Sequence, residues 1–118
     1  MKRTSSLKRN KEFRHTYRAG KSVGARSMVL IFVPKRQPGA LIGFSVGKKL
    51  GNAVVRNRTK RRMREAVTPL IPLITRGARL IFIAKQRILD ESFADIRSSM
   101  HYLLKKAALL EQGSSEGP

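Results

Sequence analysis

The sequence predicts a small α+β domain, a two-layer sandwich of about four mostly antiparallel strands covered by three helices, in the order α-β-β-β-α-β-α. Three observations lead there. The chain has 118 residues, enough for one hydrophobic core and not for two. Runs rich in β-branched and apolar residues (Ser27 to Val33, Ala40 to Val46, Ala78 to Lys85) alternate with segments whose apolar residues recur at helical spacing. Cysteine is absent, which removes disulfides and thiolate metal sites as alternatives to a packed core.

Taken in order, residues 1–9 are polar and basic and read as a flexible arm that orders on binding. Asn10 is placed to cap a first helix that runs to Ala19, with Gly20 at the position of a left-handed C-terminal cap. Phe13 and Tyr17 are four apart, so their rings share a face of that helix. They either pin the helix to the core or offer bases a stacking surface flanked by Arg14 and Arg18. Residues 21–26 are irregular or a short edge strand. Ser27 to Val33 is a strand stopped by Pro34. Lys35-Arg36-Gln37-Pro38-Gly39 is turn chemistry, and the spacing predicts that Ala40 to Val46 returns beside the first strand as an antiparallel hairpin.

A glycine-flanked Lys48-Lys49 turn then opens a helix with six cations between Arg56 and Arg64. On a helical wheel Val55, Thr59, Met63, Ala66, Val67 and Leu70 gather on one arc. Arg58, Arg61, Arg62 and Arg64 fall on the remaining surface, with Arg56 and Lys60 at the margin. Pro69 and Pro72 end or kink the helix near Thr68. Ala78 to Lys85 is the last long strand. Asp90 or Ser92 caps the closing helix, Ser92 with Asp95 as a capping box, and Ile96, Met100, Leu103, Leu104 and Ala107 form its apolar stripe. The domain is expected over residues 1–111, with 112–118 a disordered tail.

Charge narrows the partner. The net charge is +19, and residues 1–64 hold 19 Lys/Arg against the single acid Glu12. A half so basic calls for a polyanion, nucleic acid first and an acidic membrane surface second. No apolar run reaches the roughly 18–20 residues of a membrane span, and the basic N-terminus lacks the apolar stretch of a signal peptide, so the expected compartment is the cytoplasm. Residues 56–64 contain no acid, and Lys60 and Arg64 are like charges four apart, which disfavours the isolated helix. An anion compensates that cost.

Catalytic patterns fail on inspection. Gly20-Lys21-Ser22 ends like a P-loop, but the required first glycine is His15. Gly43, Gly47 and Gly51 miss the dinucleotide spacing. His15 and His101 stand alone, and the seven acids form no cluster of the two-metal kind. By itself the chain does not read as a catalyst.

The stretch Ser45-Val46-Gly47-Lys48-Lys49-Leu50-Gly51-Asn52-Ala53-Val54-Val55-Arg56-Asn57-Arg58-Thr59-Lys60-Arg61 resembles the signature of the bacterial ribonuclease P protein subunit, whose hallmark is an Arg-Asn-Arg core in a basic helix. The Asn10-Lys11-Glu12-Phe13 and Tyr17-Arg18-Ala19-Gly20 opening and the later strands and helix follow the family's order, so the resemblance covers roughly residues 5–110. It implies an RNA-binding subunit of a ribonucleoprotein whose catalytic RNA, using Mg²⁺, removes the 5′ leader of precursor tRNA. No organic cofactor and no further protein partner is implied. Lys48, Lys49, Asn52, Arg56, Asn57, Arg58, Lys60, Arg61 and Arg62 match the motif that lies against the catalytic RNA, and Arg64 extends the same set. The family's cleft between first helix and sheet assigns leader contacts to Phe13 and Tyr17, with Arg14 beside them and Ile31 on the strand floor. Relatives often carry an aromatic residue at the position of Ile31. Here the aromatic is Phe32, which should face the other way. The family also implies a left-handed β-α-β crossover around the basic helix, against the usual right-handed rule.

Two other function classes fit parts of the pattern. A ribosomal or ribosome-associated RNA-binding protein shares the size and basicity, and the RNA selected separates the two. A protein-only nuclease needs a carboxylate cluster that the scattered acids do not supply.

Overall fold

The computed structural model describes residues 5–6 and 10–110, with side chains from Phe13 onward. The elements are β1 (Ser5–Ser6), α1 (Asn10–Ala19), β2 (Lys21–Gly24), β3 (Met28–Pro34), β4 (Ala40–Ser45), α2 (Ala53–Val67), β5 (Ala78–Ala84) and α3 (Phe93–Lys106). The strands form one mixed sheet in the order β1-β4-β5-β3-β2. β5 runs parallel to β4 and antiparallel to β3, β2 is antiparallel to β3, and the two residues of β1 add parallel to β4. The α+β class, the three helices and the four principal strands are those the sequence predicts. The tail 112–118 and most of the expected arm lie outside the described residues. Within the arm, Ser5–Ser6 is part of the sheet and not free of it.

The predicted hairpin does not form. β3 and β4 are separated by β5, which enters between them. The reason lies in the apolar content of β5: Leu80, Ile81 and Phe82 are consecutive and all fully buried, as a strand covered on both faces requires. The turn after β3 wraps around the entry of β5. Lys35 N–H donates to the Gly77 carbonyl (3.0 Å) and Ala78 N–H to the Gly39 carbonyl (3.2 Å). Lys35 Nζ closes the turn onto the carbonyls of Gln37 and Pro38. Gly77 is needed because a Cβ there would run into the Gln37 carbonyl.

Strand alternation sorts the two faces. Met28 and Leu30, Ala40 and Ile42, and Ala78, Leu80, Phe82 and Ala84 are buried with Met63, Ala66 and Val67 of α2 and Ile96, Met100, Leu103 and Leu104 of α3 in one core. Phe44 stacks on Phe82 across the parallel pair, with ring centroids 6.1 Å apart. α1 lies over the opposite face. Tyr17 there reaches Ser45, and a Cβ on Gly20 would sit 2.7 Å from Cγ2 of Ile31 and 2.6 Å from the Thr16 carbonyl. Gly20 is therefore required for close approach. It is not among the residues with positive φ, so the predicted left-handed cap is corrected.

The closing elements follow prediction. α2 stops at Val67, and Pro69 and Pro72 carry the chain through a 3-10 turn, Thr68–Leu73. Ser92 and Asp95 form the capping box of α3.

Candidate nucleic-acid interface

The basic surface starts where β4 ends. Lys48–Leu50 forms one 3-10 turn. Leu50 is buried while Lys48 and Lys49 are exposed, so an apolar anchor holds two cations outward. Gly51 follows at φ +146°, backbone that only glycine adopts without strain. This bend sets Asn52 as N-cap of α2: its Oδ1 accepts from Val55 N–H at 3.1 Å, and its carbonyl from Arg56 N–H at 2.9 Å. Arg56 folds back, donating from Nε to the Gly51 carbonyl (3.2 Å). No acid occupies the first turn, so the positive end of the helix dipole adds to the cations and nothing offsets it.

Along α2, Thr59, Met63, Ala66 and Val67 are buried, the arc the wheel predicts, and Thr59 Oγ1 donates to the Val55 carbonyl at 2.9 Å. Asn57, Arg58, Arg61 and Arg64 are exposed, and Arg56 and Lys60 are half-buried. Arg62 departs from prediction. It is half-buried because the 3-10 turn Gln86–Asp90 lies along that margin. Its Nη2 donates to the Glu91 carbonyl at 3.3 Å. Among the described residues, no carboxylate pairs with any α2 cation. A shallow hollow of about 620 Å³ on the outer face is lined by Val54, Asn57, Arg58, Lys60, Arg61 and Arg64.

The second surface is the cleft between α1 and the sheet. Phe13 is half-buried, Tyr17 is 43% exposed, and their ring centroids stand 6.1 Å apart at 32°. Phe13 is thus the more buried of the two rings and Tyr17 the more exposed. Tyr17 Oη donates to Ser45 Oγ at 3.3 Å. Arg14 is exposed beside them. Ile31 lies on this face, in register with Ile81 and through it with Gly43, whereas Phe32 turns to the core side and packs there. Phe32 does not replace an aromatic floor.

The two surfaces meet at one place. Ser45, the partner of Tyr17, is the last residue of β4, and Lys48 and Lys49 follow after Val46 and Gly47. Two further residues on these surfaces carry little signal in the sequence. Val54 is 71% exposed in the middle of the cations, a position legible only as the apolar outlier on the wheel's polar arc. Arg79 of β5 belongs to the α1 side of the sheet by strand alternation; its signal was a lone cation between Ala78 and Leu80.

Comparison with known proteins places the fold and the family. A family model described as Ribonuclease P matches residues 1–108. A Ribonuclease P protein component from Symbiobacterium thermophilum is 42% identical over 114 residues, covering 95% of this chain and 98% of its own. One from Clostridium botulinum is 41% identical over 106 residues, covering 89% and 96%. The structure of the Staphylococcus aureus RNase P protein superposes with a TM-score of 0.82 at 33% identity, covering 92% of this chain and 99% of that one. The Thermotoga maritima RNase P protein, solved with 1-(4-fluorophenyl)-2-thiourea, gives 0.77 at 25% identity, covering 85% and 97%. With a family model spanning nearly the whole chain, relatives of this identity and a matching fold, the chain belongs to the ribonuclease P protein family.

Proposed function

We propose that this chain, an RNA-binding protein component of ribonuclease P acting in tRNA processing, lays α2 against the catalytic RNA and takes the 5′ leader of precursor tRNA in the cleft between α1 and the sheet. The observation that carries the reading is the junction at Ser45: the exposed ring of Tyr17 is hydrogen-bonded at the strand end from which the Lys48-Lys49 turn departs. A single strand leaving the cleft runs directly onto the cationic turn. Leader bases stack on Tyr17 and Phe13, with Arg14 near their phosphates. Lys48, Lys49, Asn52, Arg56, Asn57, Arg58, Lys60, Arg61 and Arg64 face the catalytic RNA, and Arg62 contributes chiefly by holding α2 in place.

In this reading the chemistry belongs to the RNA. Mg²⁺, when bound in the assembled particle, would supply the hydrolytic chemistry from the RNA side; among the described residues no group of three or more His, Asp or Glu could hold a metal ion. The protein's part is electrostatic. Cations fixed on a rigid helix reduce phosphate repulsion where leader and catalytic RNA approach, which favours substrate and Mg²⁺ binding together. Phosphate contacts position without reading sequence. Among the described residues no helix is long and apolar enough to cross a membrane. In this reading the particle works where tRNA is processed, in the cytoplasm.

Single-turnover cleavage of a leader-bearing precursor tRNA at low Mg²⁺ tests this. Acceleration with catalytic RNA plus protein, beyond either alone, is expected. Tight RNA binding without acceleration would favour a ribosome-associated role, and cleavage by protein alone would place the chemistry in the protein.

A further inference from the structure

Arg79 sits on the central strand of the sheet, where a cation is unusual. β5 has a neighbour on each side, and Arg79 pairs with Leu41 on β4 and Val33 on β3. Strand alternation puts it on the face of Ile81 and Ile83, the face over which α1 lies. The side chain is half-buried, and its Nε is shut off from solvent with no hydrogen-bond partner among the described residues. Nor does any carboxylate of those residues pair with it. Its register partners Leu41 and Val33 are apolar, a surface on which the aliphatic stem of an arginine is tolerated. It does not explain the unsatisfied Nε, since a buried donor without an acceptor is destabilising in the free protein.

The position along the strand says what acceptor fits. Ser45, which Tyr17 holds, is in register with Ile83. Arg79 is four residues earlier on β5, about 13 Å along the strand. Between these ends the floor is Ile31, Ile81 and Gly43, which offers no charge. We infer that Arg79 is a phosphate-binding residue at the end of the cleft opposite Tyr17, taking a backbone phosphate of the single strand whose bases meet the rings of α1. The planar guanidinium matches phosphate oxygens through paired N–H donors, and a turn of the half-buried side chain toward a bound phosphate would also give the orphaned Nε an acceptor. The contact selects for a charged backbone and carries no base preference. This rests on the leader reading of the cleft and adds to it a second fixed point, which sets the path of the strand.

The test uses holoenzyme assembled from the full chain and catalytic RNA. Affinity is compared for precursor tRNA with a short leader and for tRNA without one, with single uncharged methylphosphonate linkages scanned along the leader. Arg79→Met keeps the stem and removes the charge; its affinity for catalytic RNA, set by α2, should be unchanged and reports correct folding. The expected result is that Arg79→Met lowers the leader preference about tenfold. The linkage at which methylphosphonate weakens wild-type binding should become silent in that variant, while Arg79→Lys keeps part of the penalty. Full leader preference in Arg79→Met, with the same linkage penalty, overturns the inference. So does a wild-type scan without a sensitive linkage, a result that depends on no variant. If wild-type holoenzyme shows no leader preference at all, the leader reading falls, and this inference with it.

Discussion

Arg62 on α2 donates from Nη2 to the backbone carbonyl of Glu91, 3.3 Å away, and so ties the basic helix to the residue that precedes the Ser92 cap of α3. An arginine in the middle of the cationic run is thereby a strut as well as a charge. Arg62→Ala is expected to lower stability by about 1 kcal/mol, the size of a long, partly buried charge-assisted bond, and urea unfolding of the free protein measures it. Glu91→Ala leaves the carbonyl in place and should not reproduce the loss. Equal stability of Arg62→Ala and wild type would return Arg62 to the set of simple surface cations.

Arg58 gives the contrast. It is exposed and lines the outer hollow, with no protein partner among the described residues. Arg58→Ala should leave stability within about 0.5 kcal/mol. Its effect belongs on RNA. If roughly six phosphates are neutralised, log affinity for the catalytic RNA falls with log salt at a slope of about −4 to −5, and removing Arg58 reduces that slope by about one. Titrations at several salt concentrations decide, and an unchanged slope and affinity would deny Arg58 a phosphate contact.

How much of this was legible in the sequence depended on the range of the interaction that decides each feature. The buried arc of α2 and the Ser92–Asp95 capping box are set by residues three and four apart, and both are legible in the sequence. Nearness in the chain predicts that β3 pairs with β4, but adjacency in a sheet is decided by burial, and β5 lies between them. The unbroken run Leu80-Ile81-Phe82, fully buried, marks β5 as the middle strand and carried that signal. Arg62 differs from its wheel position for a similar reason: a wheel describes its own helix and nothing of the 3-10 turn at Gln86–Asp90. Gly20 has the place of a cap after a helix, whereas the demand on it is close packing, against the Thr16 carbonyl within α1 and against Ile31 and the Phe32 carbonyl of β3, which no local pattern shows.

Tyr17 allows ring and hydroxyl to be separated. Tyr17→Phe removes the 3.3 Å bond to Ser45 and keeps the stacking face, so leader binding should fall no more than about threefold, the worth of one exposed hydrogen bond. Tyr17→Ala removes the face as well. A loss of about 1–3 kcal/mol in affinity for leader-bearing precursor tRNA is expected, with little change for tRNA lacking a leader. Equal losses for the two substrates would mean that Tyr17 supports the fold of α1 and does not touch the leader.

The two glycines around the Lys48-Lys49 turn look alike in sequence and differ in structure. Gly51 has φ +146°, and a Cβ there would stand 3.0 Å from the Val55 side chain. Gly51→Ala is thus strained twice, in the backbone and against the first turn of α2, and should lose about 1–3 kcal/mol of stability. Because Gly51 sets Asn52 as the N-cap, RNA affinity should fall with it. Gly47 has φ −76° and ψ 165°, ordinary extended backbone, and nothing lies within 4 Å of a Cβ added there. For the free protein Gly47→Ala should be neutral or stabilising by up to about 1 kcal/mol, since it restricts only the unfolded chain. If the reason for glycine at this position is close approach of RNA to the backbone beside Lys48, the same variant must bind catalytic RNA more weakly although it folds at least as well. Stability and affinity measured on one preparation of Gly47→Ala separate these demands. A variant unchanged in both would show that the turn needs glycine only at Gly51.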